Sequence, residues 1–405
     1  MPAATVSERI KSFNAHRLQW AVQLKYALMA QDAFRFYRGT CHIFYEDLFH
    51  GANLPPSPAT WMCGDLHVEN FGSYKGDNRL VYFDINDFDE SILGPCLWEA
   101  ARMATSIAIA FQTLGAEQND TEQVVRLFIK HYAKGLASGK PRYVEIETAR
   151  GIVRSFLEKV GARTSRELLQ KRVYLKKGRL RFRIDEKKYF TLDKEKRSKL
   201  MEEVQQWLTD NHALGDDARV LDACVRIAGT GSIGIRRYAL LVQARRKNKQ
   251  VYRLLDMKEA IPSALQPYVM QPQPAWPSQA ERVIAVKTRM QNVSPAFLSS
   301  LPLDGCDFLV QEMQPAEDKI TFDLVRDRPR DLEEIICTMA SLTASAQLRS
   351  SGRQQSAVAD ELIGFGEDAS WQQPLFDLAM EQARQTSSYY HQYLEDHRSG
   401  FFNIK

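Results

Sequence analysis

At 405 residues and 44% hydrophobic content, the chain is long enough for two lobes, each with its own core. Its net charge of +4 is too small for this size to argue for nucleic acid, and its six scattered cysteines (Cys41, Cys63, Cys96, Cys224, Cys306, Cys337) form no C-x-x-C pair, which argues against a zinc site or a disulfide frame. No run approaches the roughly 20 apolar residues of a membrane span, and charges stand where a signal peptide needs an apolar core, so a cytoplasmic protein without a membrane partner is expected.

Residues 5–50 read as helices, with Leu18, Ala21, Leu24, Ala27 and Leu28 at helical spacing. Arg38-Gly39 interrupts a run rich in Phe and Tyr. Arg38 has two readings of equal weight: a bidentate clamp on phosphate, or a structural pin on a carboxylate. Residues 51–60 hold three prolines and form a loop.

Residues 63–90 are the chemical centre of the chain. One loop holds Asp65 and, five residues on, Asn70. A second holds Asp84, Asp87, Asp89 and Glu90. Between them a turn at Lys75–Asn78 leads into a strand at Arg79–Phe83, so the carboxylates sit at strand ends. Phosphoryl transfer needs a positioned base and metal-held phosphates, and little covalent help. Asp65 is the candidate base. Asn70 and Asp87, with Asp89 as a further candidate, are oxygen ligands of the kind that suits Mg²⁺. The plainer reading is that Asx residues favour such turns for their own reasons. His67 is read first as a brace of its loop rather than as a catalytic group.

Residues 97–114 form an apolar helix whose Ala, Ile and Met content indicates core rather than site. Residues 121–172 give further amphipathic helices. Segment 171–199 carries 13 Lys/Arg against 4 Asp/Glu, with aromatic residues interleaved. That mix suits RNA or an acidic substrate, but a solvated hairpin and helix face is the preferred explanation. Residues 195–210 read as one more helix.

The stretch 220–258 supports two readings. In the first, Gly229-Thr230-Gly231-Ser232-Ile233-Gly234 joins two antiparallel strands and covers nucleotide phosphates. A hairpin of 238–244 and 251–257 follows, and Lys258 reaches those phosphates. In the second, a dinucleotide fold, 235–249 is a helix and Asp256 ends a parallel strand as ribose ligand. Good helix formers in 235–249 favour the second. A simple Gly-rich turn is the third. Residues 277–290 read as a helix, 308–315 as a strand running into a polar linker, and 330–350 and 371–398 as helices.

Gly64-Asp65-Leu66-His67 through Asn70 resembles the catalytic loop of aminoglycoside and choline kinases, the small-molecule branch of the protein-kinase-like fold. Asp87-Phe88-Asp89 resembles their metal loop, and Gly94-Pro95 with Trp98–Arg102 the helix start after it. Most of the chain, including Phe34–Gly39, resembles bacterial domain-of-unknown-function family 2252. The kinase resemblance favours the phosphate-cover reading, since a cover and a lysine are what the acidic loops lack. It implies that Glu281 pairs with Lys258, and that 311–315, with Glu312 and Met313, is a hinge holding adenine. Glu259 would point away from Lys258 on a strand. A His is more usual in that fold near Gln347.

The motif order is then unusual, with the catalytic and metal loops preceding the glycine loop. The implied fold is α+β and bilobal, a circularly permuted kinase-like architecture. Its parts are a helical lobe (1–215), a small antiparallel β lobe (216–315) and helices returning to the first lobe (316–405). The expected activity is ATP- and Mg²⁺-dependent phosphoryl transfer to a small hydroxylated molecule or protein. The alternatives are AMP transfer, a non-catalytic nucleotide-binding regulator and, resting on the local Gly-x-Gly alone, an NAD-dependent oxidoreductase. No motif encodes the acceptor.

Overall fold

In a computed structural model the described residues are 4–51, 53–246, 249–315, 318–320 and 328–403. Four helices open the chain: α1 (Val6–Phe13), α2 (Gln19–Met29), α3 (Ala33–Gly39) and α4 (Cys41–Gly51). A capping box starts α1, in which Thr5 and Glu8 each accept from the other's amide. Four short strands follow: β1 (Ala59–Met62), β2 (Phe71–Lys75), β3 (Val81–Ile85) and β4 (Ile92–Pro95). β1 pairs with β4, and β2 with β3, both antiparallel. The expected hairpin is present, with its second strand two residues later than the composition suggested. Both acidic loops thus hang from paired strand ends.

α5 (Cys96–Thr113) is buried on nearly every side, as its Ala-rich sequence requires of a helix at the centre of a core. α6 (Gln118–Ala137), α7 (Gly151–Gly161) and α8 (Ser165–Arg172) come next, and then a small hairpin of β5 (Val173–Lys176) and β6 (Arg179–Phe182).

The second lobe is built on one antiparallel sheet. Its strands are β7 (Tyr189–Phe190), then, after α9 (Lys194–Asp210), β8 (Arg219–Arg226), β9 (Arg237–Arg246) and β10 (Lys249–Glu259). After α10 (Gln279–Met290) come β11 (Leu298–Leu303) and β12 (Cys306–Glu312). The order across the sheet is β11-β12-β10-β9-β8-β7. The sheet therefore reaches back to residue 189, and α9 packs on it through Leu200, Val204 and Leu208. The boundary expected at 215 falls inside this lobe, because the edge strand and the covering helix precede it.

Period two sorts the strands into faces. Leu240, Val242, Leu255 and Met257 pack under α9. Arg237, Asp256 and Lys258 alternate with them and face the other way. β9 and β10 pair antiparallel from Lys249↔Arg246 to Lys258↔Arg237. The helix at 235–249 and the parallel strand ending at Asp256, which the dinucleotide reading required, are not what this stretch forms. Helix propensity is a weak prior, and a buried sheet position overrides it.

α11 (Pro329–Arg349), α12 (Ala359–Glu367) and α13 (Gln372–Arg398) return to α5 and α6. α12 had no counterpart in the sequence reading. The two ends of the chain meet, with Tyr26, Tyr393 and Phe402 in one apolar cluster. Among the described residues all six cysteines are free thiols, and no helix is long and apolar enough to cross a membrane.

Candidate functional site

β1 delivers Cys63-Gly64-Asp65 to the lobe interface. Gly64 has φ +86°, and a Cβ there would lie 2.1 Å from the Glu90 carbonyl oxygen. Only glycine lets the two acidic loops approach this closely. α5 anchors the loop with three polar residues spaced along one face. Glu99 Oε1 accepts from the amides of Cys63 (2.6 Å) and Gly64 (3.3 Å). Arg102 donates to Asp65 Oδ1 from Nε (3.1 Å) and Nη2 (2.8 Å). Ser106 Oγ accepts from the Val68 amide at 3.0 Å. Behind Glu99 stands Gln347, whose Nε2 donates to Glu99 Oε2 at 3.1 Å and whose Oε1 accepts from the Tyr132 hydroxyl at 2.6 Å. The helix read as plain core thus carries a polar stripe (Glu99, Arg102, Ser106). Its legible signal was three polar residues at helical spacing in an apolar helix.

Arg102 is fully buried, with its guanidinium 3.6 Å from the Tyr37 ring centroid. Its grip on Oδ1 leaves the other oxygen of Asp65 towards a small inner cavity of about 50 Å³.

Asn70 is fully engaged. Its Nδ2 donates to the carbonyls of Asp65 and Asp87, both at 3.1 Å. Its Oδ1 accepts from the amides of Asp87 (2.7 Å) and Asn86 (3.3 Å). An amide oxygen has two lone pairs, and both are taken by backbone. The residue expected to ligate metal instead locks the two acidic loops together.

Lys258, buried on β10, contacts Asp89 and lies 3.7 Å from Asp87 Oδ2. Burial lowers its pKa, against the pull of Asp87. Burial also works against charge on Asp87, but Lys258, Arg237, Lys287 and Arg38 outweigh it and hold that carboxyl below its ordinary value. More than half of the Asp87 side chain is exposed to the cleft. Among the described residues, no group of three or more His, Cys, Asp or Glu is gathered for a metal ion.

Glu281 does not pair with Lys258. It sits in the first turn of α10, where its amide caps on Ser278 and its carboxylate takes the Ser300 hydroxyl. The charged α10 side chain in the cleft is Lys287, whose Nζ donates to the Asn86 carbonyl (3.1 Å) and Gln311 Oε1 (3.2 Å). Glu259 points away, paired to Arg236 at 3.0 Å. Asp256 is buried between Arg226 (2.7 Å) and Arg237, which hold its carboxyl far below the usual range against the cost of burial.

The glycine loop runs strand-turn-strand from β8 to β9. Gly229, Gly231 and Ser232 line the inner cavity, whereas Thr230 is buried and Gly234 packs on Arg17 and Val22. A Cβ on Gly231 would lie 3.2 Å from the Arg38 carbonyl oxygen and 3.6 Å from Asp65 Oδ2. The loop therefore rests on the candidate base. Arg17 Nη1 donates to the carbonyls of Gly231 (2.7 Å) and Ile233 (3.1 Å), and buried Lys25 Nζ donates to Gly231 O at 3.2 Å.

At the expected hinge, Met313 lines the cleft but Glu312 does not. Glu312 is paired to Arg253 at 2.7 Å. The amides of Glu312 and Met313 donate to Phe297 and Leu254 carbonyls, so neither is left for a base. Arg38 pins Glu69 and donates from Nε to His67 Nε2 at 3.2 Å, the structural of its two readings. The Glu69 amide stands 3.2 Å from the other ring nitrogen, Nδ1, and since a neutral imidazole has one acceptor nitrogen the ring takes one of these two donors at a time; burial followed by Arg38 lowers its pKa well below the usual value. It braces the loop.

Beyond Asp87 and Lys258 the cleft opens to about 510 Å³ between the lobes, within the range of small-molecule sites. Lys171, Arg172 and Lys188 of the basic segment line it too. The segment expected to be a solvated face is thus partly a wall of the cleft.

Neither the curated proteins nor the solved structures contain a match to this chain. A family model described as an uncharacterized protein conserved in bacteria matches residues 17–396, so the chain belongs to that family, DUF2252.

Proposed function

We propose that the protein is an ATP- and Mg²⁺-dependent phosphotransferase acting on a small hydroxylated molecule or protein, with a circularly permuted kinase-like architecture. The observation that carries this reading is the meeting of Lys258 with Asp87 and Asp89 beside Asp65, beneath the Gly229–Gly234 loop. A glycine loop between the first two long strands of a β lobe, and a lysine on the third, are the phosphate-holding parts of kinases. Asp65 would orient the acceptor hydroxyl and receive its proton. The acceptor oxygen would bond to the γ-phosphorus as the bond to ADP breaks. Asp87 and Asp89 are the carboxylates left to hold Mg²⁺, which supplies charge neutralisation at the phosphates. Lys258 and Lys287 would hold phosphate oxygens.

Two departures favour a second reading, a nucleotide-binding regulator without turnover. The Asn70 oxygen is already spent on backbone, and α10 offers Lys287 to the cleft where the resemblance implies a glutamate. Incubation with α- and γ-labelled ATP, Mg²⁺ and a metabolite library separates the cases. Transfer of the γ label to an acceptor supports the phosphotransferase. Transfer of the α label means AMP transfer. Binding without consumption means the regulator, and absence of binding removes all three.

A further inference from the structure

The cleft extends past Lys258, and its positive charge does not stop there. The sheet shows how that charge is laid out. Lys258 on β10 stands in register with Arg237 on β9. Asp256 ties Arg237 to Arg226 on β8, and Arg226 stands in register with Tyr189 on β7. Just before β7, the Lys188 carbonyl accepts from the Ile227 amide at 2.8 Å, which places Lys188 beside the end of β8. The Arg172 guanidinium lies 5.1 Å from the Tyr189 ring centroid. A line of cations therefore crosses four neighbouring strands. At about 4.8 Å per strand it runs roughly 14 Å from Lys258 to the β7 edge.

The two ends differ in how their charge is met. Lys258 is answered by Asp87 and Asp89, and Arg226 and Arg237 by Asp256. Among the described residues, Lys171, Arg172 and Lys188 enter no ion pair. Arg172 Nε is buried with no hydrogen-bond partner, and the carboxylates whose charge reaches these cations, Glu167 for Lys171 and Asp185 for Arg172, form no ion pair with them. A buried guanidinium nitrogen without an acceptor costs free energy unless a ligand supplies one. Cations converging on one wall of a cleft, even solvent-exposed ones, favour a group carrying more than one negative charge.

We propose that the cleft binds a nucleotide carrying phosphate at two positions: a 5′ polyphosphate at Lys258 and Lys287, and a second phosphate monoester, on the ribose, at Lys171, Arg172 and Lys188. This rests on the nucleotide reading above and adds a substrate class to it. A plain nucleoside triphosphate concentrates its charge at one end and leaves the β7 end of the cleft unanswered. A second phosphate brings oxygen acceptors to the Arg172 guanidinium, which lines the cleft, and to two lysines.

The test is calorimetric titration of the full chain with ADP and with its 2′- and 3′-phosphorylated derivatives, in Mg²⁺. One of the two derivatives binds about tenfold more tightly than ADP, the gain expected of a few charge-assisted hydrogen bonds. In a Lys171→Ala/Lys188→Ala variant that ratio falls below about two. Both lysines are exposed, so the variant keeps its fold. Equal affinity for ADP and both derivatives in the wild type overturns the second-phosphate site and leaves the nucleotide reading standing. A tenfold preference that survives in the double variant overturns the assignment to these residues. No binding of any of the three overturns both readings together.

Discussion

Lys258 Nζ lies 3.7 Å from Asp87 Oδ2, although 171 positions separate the two residues in the chain. One belongs to the third long strand of the sheet lobe and the other to the loop after β3 in the helical lobe. The contact closes the interface between the lobes at the place where a phosphate chain would lie.

Replacing Asp87 by Ala removes one of the two carboxylates facing Lys258 and leaves Asp89 as its partner. Because more than half of the Asp87 side chain is exposed, the melting temperature without ligand stays within a few degrees of wild type. The Mg²⁺-dependent part of stabilisation by ATP disappears. Thermal shift with ATP, with and without Mg²⁺, checks this, and metal-dependent stabilisation that survives moves the ligand elsewhere.

Asp65→Asn keeps one oxygen for Arg102 but turns an NH₂ towards the inner cavity, which cannot take a proton. ATP affinity changes by less than a few fold. Transfer falls by about 10²–10⁴, the usual contribution of a positioned base. The same substitution leaves the buried Arg102 charge without its anion, so a lowered melting temperature accompanies the loss. Arg102→Met in the Asp65→Asn background recovers part of that stability without recovering transfer. Near-normal turnover in Asp65→Asn excludes it as the base.

Gly64→Ala forces a Cβ to 2.1 Å from the Glu90 carbonyl oxygen at a φ of +86°. The cost is on the order of 3 kcal/mol or more, since backbone cannot yield as a flexible side chain can. Denaturant unfolding measures it. A variant of wild-type stability shows that the loops at Gly64 and Glu90 are not packed as described.

Arg17→Met removes two hydrogen bonds to glycine-loop carbonyls. Bonds from a charged donor contribute about 1.5–3 kcal/mol, so amide exchange across 229–234 quickens about ten- to a hundredfold while α5 and α6 are unaffected. Uniform exchange changes over the whole chain would mean global destabilisation instead.

Asp84 gives a stability signature with pH. It is buried beside the β2–β3 pairing, and burial pushes its carboxyl up to about 6 from 3.8. A raised folded value means that the native state holds the proton longer than the unfolded chain does. The stability from this group is full below about pH 4 and is lost as pH rises through about 6. Asp84→Asn keeps the hydrogen-bond acceptor used by the Ile85 amide and removes the titration. The stability difference, variant minus wild type, therefore grows by on the order of 3 kcal/mol between pH 4 and 7. A flat difference across that interval shows that Asp84 does not titrate there.

Much of this architecture is local and was legible in the chain. Alternation and turn chemistry around 63–90 determine a hairpin with carboxylates at both ends. Periodicity determines the helices at 97–114, 195–210 and 277–290, and the Gly229–Gly234 run marks a loop where backbone can come close. What residues 235–249 become was not local. Their side chains suit a helix, and only pairing with β8 and β10, which buries Leu240 and Leu255 beneath α9, makes Arg237–Arg246 a strand. The site was decided later still. Glu281 and Lys287 are six positions apart on a helix of about 3.6 residues per turn, so they point to different sides. The docking of α10 on β11 and β12 sends Glu281 to Ser300 and Lys287 into the cleft. Asn70 and Arg102 follow the same rule. Most of their partners come from other loops and helices, Asp87 and Asn86 for Asn70, Asp65 and Tyr37 for Arg102, and a polar side chain buried between such elements takes the acceptors and donors that packing brings to it.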